Sequence, residues 1–121
     1  MRIIILITII ILSGFGLKAQ NRVLLEDKDE IIKQAILELD NEMTGPDGSL
    51  FKAGQKYKIT GEYNLQLTIR DKGQIVSVFV ADKKDGNIPS QNRLKDEVLA
   101  LQFSFKMPKN KDYKFNYTFK F

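Results

Sequence analysis

The sequence predicts an α+β fold: a two-layer sandwich with elements in the order α-β-β-α-β, in which a mainly antiparallel three-stranded sheet carries its helices on one face. Three observations predict it. Apolar residues between Glu26 and Met43 recur at the spacing of a single helical stripe. Two runs, Tyr57 to Ile69 and Tyr113 to Phe121, alternate apolar and polar residues with the period of two that marks a half-buried strand. Between these runs, Arg70-Asp71-Lys72-Gly73 supplies a tight hairpin, and a second helical spacing appears at Leu94, Val98 and Leu101.

The first helix takes its stripe from Ile32, Ala35, Ile36, Leu39 and Met43, with Ile31 beside them. Asp27 is placed as its N-cap with Glu30 three residues on, and Asp29 stands one turn before Lys33 as a possible ion-pair partner. Glu26, Asp29, Glu30, Glu38 and Glu42 occupy the other face and read as a solvated acidic surface. Thr44-Gly45-Pro46-Asp47-Gly48 ends the helix, because Gly and Pro break helical geometry and favour turns.

In the first strand Tyr57, Ile59, Gly61, Tyr63, Leu65, Leu67 and Ile69 share one face, and Lys58, Thr60, Glu62, Asn64, Gln66, Thr68 and Arg70 share the other. Gly73 is expected to take the positive-φ position of the hairpin loop, and Gln74 to Ala81 is the return strand. Ile75, Val78 and Val80 change parity within it, so a bulge near Val76 and Ser77 is predicted, which brings all three to one face. Asp82 to Pro89 is polar and turn-rich, and the second helix begins near Ser90 or Asn92. Phe103, Phe105 and Met107 follow, then a turn at Pro108, Lys109, Asn110 and Lys111. The last strand sets Tyr113, Phe115, Tyr117, Phe119 and Phe121 against Lys114, Asn116, Thr118 and Lys120 on the opposite face.

Composition narrows the chemistry. The 121 residues contain no Cys, no His and no Trp. Thiolate nucleophiles, imidazole bases, Ser-His-Asp triads and thiolate or imidazole zinc sites are therefore excluded, leaving carboxylates, Lys, Ser, Thr and Tyr as the only catalytic groups. Residues 1 to 19 have the layout of a signal peptide: a positive start at Arg2, an apolar run from Ile3 to Leu12, then small residues up to Ala19. Cleavage after Ala19 is expected, since the apolar run falls short of the roughly 20 residues of a membrane span. An uncleaved anchor from Ile3 to Leu17 is the rival reading. Residues 20 to 121 then form one periplasmic or secreted domain with no integral membrane segment. Removing Arg2 and Lys18 from 19 basic residues leaves 17 against 15 acidic ones, a balance that speaks against nucleic acid as a partner. Without Cys there is neither a lipidated Cys nor a disulfide, so stability must come from an ordinary core.

Motif tests mostly fail. Asp40 to Gly45 opens like an EF-hand loop, but its twelfth position is Phe51 where calcium needs a bidentate Glu. Asp82 to Asn87 places its Gly one position early. Asn116-Tyr117-Thr118 matches a glycosylation sequon, a frequent chance match. Asp96 and Glu97, adjacent on a helix, diverge by about 100° and make no glycosidase pair. No enzymatic activity and no cofactor are expected. A barrel of the outer membrane is also set aside, since only three strands are clear where such barrels start at about eight.

One set of motifs is more specific. Gly61-x-Tyr63-x-Leu65-x-Leu67-x-Ile69, Asp71-Lys72-Gly73-Gln74-Ile75, a helix with Leu94, Glu97, Val98 and Leu99, then Met107-Pro108-Lys109 and a final alternating strand together resemble the C-terminal domain of TonB energy transducers. The helix from Glu30 to Leu39 also resembles the one that precedes this strand in Bacteroidota versions. The usual Trp near the end of the second helix and the Gly before the last strand are absent. The resemblance, spanning about residues 30 to 121, implies a free-standing, non-catalytic secreted domain whose terminal strand is a sheet edge that receives an extended peptide from an envelope partner, an outer-membrane receptor in that family. The implied contact residues are Lys114, Phe115, Asn116, Tyr117, Thr118, Phe119 and Lys120, with the four polar ones flanking the guest on the wet face. A different class of reading is a carrier of a small hydrophobic ligand, with Tyr63, Phe79, Phe103 and Tyr117 lining a pocket between sheet and helices. An envelope structural protein or an inhibitor is the third alternative.

Overall fold

The computed structural model describes residues 22–121, so the segment 1 to 19 read as a signal peptide and its expected cleavage after Ala19 lie outside the described residues. The first helix, α1, spans Lys28–Thr44 with Asp27 as its N-cap, whose carboxylate accepts the Glu30 N–H at 3.1 Å. Its Ile31, Ala35 and Leu39 are fully buried. Asp29 and Lys33 are both exposed and form no ion pair. The acidic face is also less solvated than the sequence indicates. Glu38 accepts the Ser104 N–H at 2.9 Å and its hydroxyl at 2.6 Å, and Glu42 accepts the Ser49 N–H at 2.7 Å. These two carboxylates satisfy loop and helix-end donors that would otherwise lack a partner.

A second helix, α2 at Ser49–Lys56, stands where the sequence shows only the approach to a strand. Eight residues are too few for a helical period to declare itself, and the helix depends on Glu42, which holds the Ser49 N–H from seven residues upstream. The alternation that begins at Tyr57 is therefore not strand at its start. Tyr57 caps α2, Lys58 and Gly61 turn the chain with φ of 53° and 104°, and β2 spans Glu62–Arg70.

The hairpin closes as expected. The Gly73 N–H donates to Arg70 O at 2.8 Å, Gly73 has φ of 71°, and β3 runs from Gln74 to Lys84. The bulge lies at Val76: Ile69 pairs with Ile75, but Thr68 pairs with Ser77. Ile75, Val78 and Val80 consequently turn to one face and pack on the core. A second bulge at Ala81, between the Leu65–Val80 and Asn64–Asp82 pairs, carries the strand on to Lys84, into the segment read as turn. Helix α3, Ile88–Leu99, starts ahead of the expected Ser90 or Asn92, because Asn87 is its N-cap and accepts the Ser90 N–H at 2.8 Å, with Pro89 in the first turn.

Two short strands escape a periodicity argument altogether. β1, Val23–Leu24, pairs in parallel with β4, Phe105–Lys106. The Arg22 guanidinium fixes this corner by donating to the carbonyls of Phe103 and Phe105, each at 2.9 Å, and to that of Lys72. The last strand, β5, covers Tyr113–Lys120, and the main sheet has the order β3-β2-β5. Tyr63, Leu65, Leu67 and Ile69 of β2, joined by Phe115 and Phe119 of β5, pack against α1 and the Leu94 and Val98 of α3. The helices cover that face alone, which is the α+β two-layer arrangement. The opposite face, with Asn64, Gln66, Asn116 and Thr118, carries no helix, although Thr68, expected to be solvated there, is buried.

Candidate functional site

β5 is an edge strand, paired with β2 on one side and with no strand on the other among the described residues. Its register against β2 runs without a shift from Ile69↔Tyr113 to Glu62↔Lys120. The Phe121 N–H continues that ladder by donating to Gly61 O at 3.0 Å. In an antiparallel strand the backbone groups of alternate residues point to opposite sides, so Tyr113, Phe115, Tyr117 and Phe119 bond inward to β2. The N–H and C=O groups of Lys114, Asn116, Thr118 and Lys120 therefore point outward, unpaired, and the side chains of these four residues are exposed on the open face.

This divides the sequence-derived contact set. Phe115 and Phe119 are 7% and 0% exposed, with side chains in the core and backbone committed to β2, so neither offers an outward backbone group to a partner laid along the edge. The alternation that made them strand residues also buries them. Tyr117 is half-buried and ties β5 to α1, its hydroxyl donating to Asp40. At the N-terminal end a fork between Arg70 and Asp112, at 3.0 and 3.2 Å, locks the start of β5 to the end of β2. The guanidinium hydrogen bond holds the Asp112 carboxyl below its ordinary value. Across the open face Asn116 donates to Asn64 at 3.1 Å. These ties fasten β5 to β2 and to α1.

The other free edge differs. β3 is broken by its two bulges at Val76 and Ala81, a device that blunts an edge against pairing. No bulge interrupts β5.

The four aromatic residues of the carrier reading do not meet. Tyr63 is sealed in the core, Phe79 is 63% exposed on the open face, Phe103 stacks on Phe105 at 5.3 Å, and Tyr117 reaches α1. Two hollows of about 480 and 460 Å3 are lined by none of them. Asp40 and Glu42, of the EF-hand-like stretch, are taken up by Tyr117 and Ser49, and no group of three ligating side chains able to hold a metal occurs among the described residues. One feature beside the edge carried no sequence signal: a hollow of about 340 Å3 at the C-terminal end of β5, lined by Met43, Phe51 and Ile59 together with Phe121. Its walls come from four separate segments, so no local spacing announces it.

No family model, curated protein or solved structure matches this chain. What the edge can do follows from its own geometry.

The Tyr117–Asp40 tie has a pH signature. Burial and the Asp40 hydrogen bond raise the Tyr117 phenol above its ordinary value of 10.0. The folded state then keeps a proton that the unfolded state releases, so stability falls as pH rises past about 10. Tyr117→Phe is expected to flatten this alkaline loss, as measured by urea midpoints between pH 8 and 11. An unchanged slope would place the phenol elsewhere.

Proposed function

We propose that this chain is a non-catalytic protein-interaction domain of the cell envelope that binds an extended segment of a partner by β-augmentation along β5. The observation that carries the reading is the contrast between the two edges: β5 offers an eight-residue, bulge-free ladder with four outward-facing backbone positions, whereas β3 is bulged twice. A guest strand would pair with the backbone of Lys114, Asn116, Thr118 and Lys120. The resemblance to TonB C-terminal domains makes an outer-membrane receptor the first partner to test, and the signal-like N-terminus supports an encounter in the periplasm or outside the cell.

The test removes one outward donor. Thr118→Pro deletes an N–H that makes no bond within the domain and is expected to remain folded by circular dichroism while losing capture of the partner from envelope extract. Tyr117→Pro deletes an inward N–H opposite Leu65 and should cost far more stability. A folded Thr118→Pro protein that retains every partner of the wild type would show that the edge is not the binding site.

A further inference from the structure

We infer that the segment accepted by β5 is itself patterned as a strand, with apolar residues at alternate positions, one of which seats in the hollow beside Phe121, and carboxylates at intervening positions facing Lys114 and Lys120. The inference rests on the proposed edge pairing and adds the chemistry of the guest. A strand added to an edge continues the pleat, so its side chains must alternate between the two faces of the sheet. The two faces beside β5 differ sharply.

On the helix-covered face the neighbours are aromatic and aliphatic. Tyr113 and Tyr117 are half-buried there, and the hollow of about 340 Å3 opens at the end of the strand, with Met43 from α1, Phe51 from α2, Ile59 from the following loop and Phe121 as its apolar walls and Gln55 and Lys120 also lining it. It is large enough for an aliphatic or aromatic side chain. In strand addition the backbone supplies affinity and such side-chain pockets supply specificity. Its lining is mostly apolar, with Gln55 and Lys120 as the polar members, so an apolar side chain seated against Met43, Phe51, Ile59 and Phe121 gains most from burial.

On the open face the neighbours are Lys114, Asn116, Thr118 and Lys120, all exposed. The one ion pair among the described residues is Arg70–Asp112, so neither lysine is neutralised within ion-pairing distance, although Glu62 faces Lys120 in register and the Asp112 carboxylate, already held by Arg70, feels Lys114. The two charges stand six residues apart with a neutral amide and a hydroxyl between them. Charge complementarity therefore calls for carboxylates at the two ends of the guest and small polar residues in its middle.

Three synthetic peptides test this by fluorescence anisotropy with the purified protein: Glu-Val-Thr-Val-Thr-Leu-Glu, the same peptide with every apolar residue replaced by Ser, and the same peptide with both Glu replaced by Lys. The first is expected to bind at least tenfold more tightly than either of the others, with its advantage over the lysine peptide shrinking as salt is raised. Gln55→Trp, at an exposed rim position of the hollow, should abolish the first peptide's advantage over the serine peptide. Equal binding of all three peptides, lost together in folded Thr118→Pro, would overturn the patterned guest while leaving the edge reading intact. Binding that survives Thr118→Pro would overturn the edge reading itself. Failure of every peptide to bind wild type would overturn the inference and leave the edge to be judged by partner capture.

Discussion

Gly73→Val is expected to destabilise the domain by about 3 kcal/mol or more, a fall in Tm of roughly 10 °C or more for a domain of this size. Two effects combine. Gly73 sits at φ of 71°, a conformation in which a β-branched residue is strained by about 1–3 kcal/mol. A Cβ at this position would also lie 2.3 Å from Phe105 O and 2.8 Å from the Arg22 guanidinium. Arg22 is a flexible side chain that can swing away only by giving up its carbonyls, but the Phe105 carbonyl is backbone and cannot withdraw cheaply. Phe105 O is held by Arg22 at 2.9 Å, and the Phe103 N–H donates to Gly73 O at 2.8 Å, so retreat would dismantle the corner that joins the hairpin to β1 and β4. Gly73→Asn separates the two effects, because Asn tolerates the left-handed region but still carries a Cβ. If the close approach matters, Gly73→Asn should cost about 2 kcal/mol, in the range of overpacked cores. A Gly73→Asn protein that melts like the wild type would mean that the turn alone accounts for the glycine.

Gly86→Ala is expected to cost about 2–4 kcal/mol, from overpacking together with the hydrogen bonds it disturbs. A Cβ on Gly86 would stand 2.4 Å from the Tyr63 hydroxyl oxygen and 2.6 Å from its Cζ. Tyr63 is fully buried and its hydroxyl is in use, donating to Thr60 O at 2.6 Å and accepting the Asn87 N–H at 3.1 Å. Asn87 is the N-cap of α3, and Ser90 in its first turn accepts the Thr60 N–H at 3.2 Å, so one phenol joins the entry to β2 with the start of α3. Tyr63→Phe alone should cost about 1–3 kcal/mol by leaving the Asn87 N–H without its partner. The double variant should cost less than the sum, since removing the phenol oxygen relieves the worst contact, and a coupling of at least about 0.5 kcal/mol is expected from urea denaturation of the four proteins. Strict additivity would mean that Gly86 and Tyr63 do not touch.

Features set by near neighbours in the chain were legible in advance. Asp27 caps α1 because its carboxylate lies within reach of an N–H three residues on, and Gly73 closes a loop whose ends are four residues apart. The Val76 bulge followed from parity alone, since three apolar residues had to share a face. α2 was hidden for the opposite reason. Its N-cap is Gly48, its first N–H is taken by Glu42 seven residues upstream of Ser49, and its eight residues hold too little periodicity to stand out. For the candidate site, alternation in 113 to 121 identified the strand and its wet face but did not separate Phe115 and Phe119, which the core claims, from the residues that face outward.

By itself, then, the sequence determined which side chains of α1, β3 and β5 share a face, where the hairpin turns, and that thiolate and imidazole chemistry is excluded for want of Cys and His. It did not determine which strand lies beside which. That β2 sits between β3 and β5, that β3 is the blunted edge and β5 the regular one, and that the N–H groups of Asn116 and Thr118 point away from the sheet were decided only in the tertiary structure. The physical reason is that periodicity records the direction of a side chain relative to the core, above or below the sheet. A backbone N–H points within the plane of the sheet, and its partner is chosen by packing between residues such as Gly61 and Phe121, sixty positions apart.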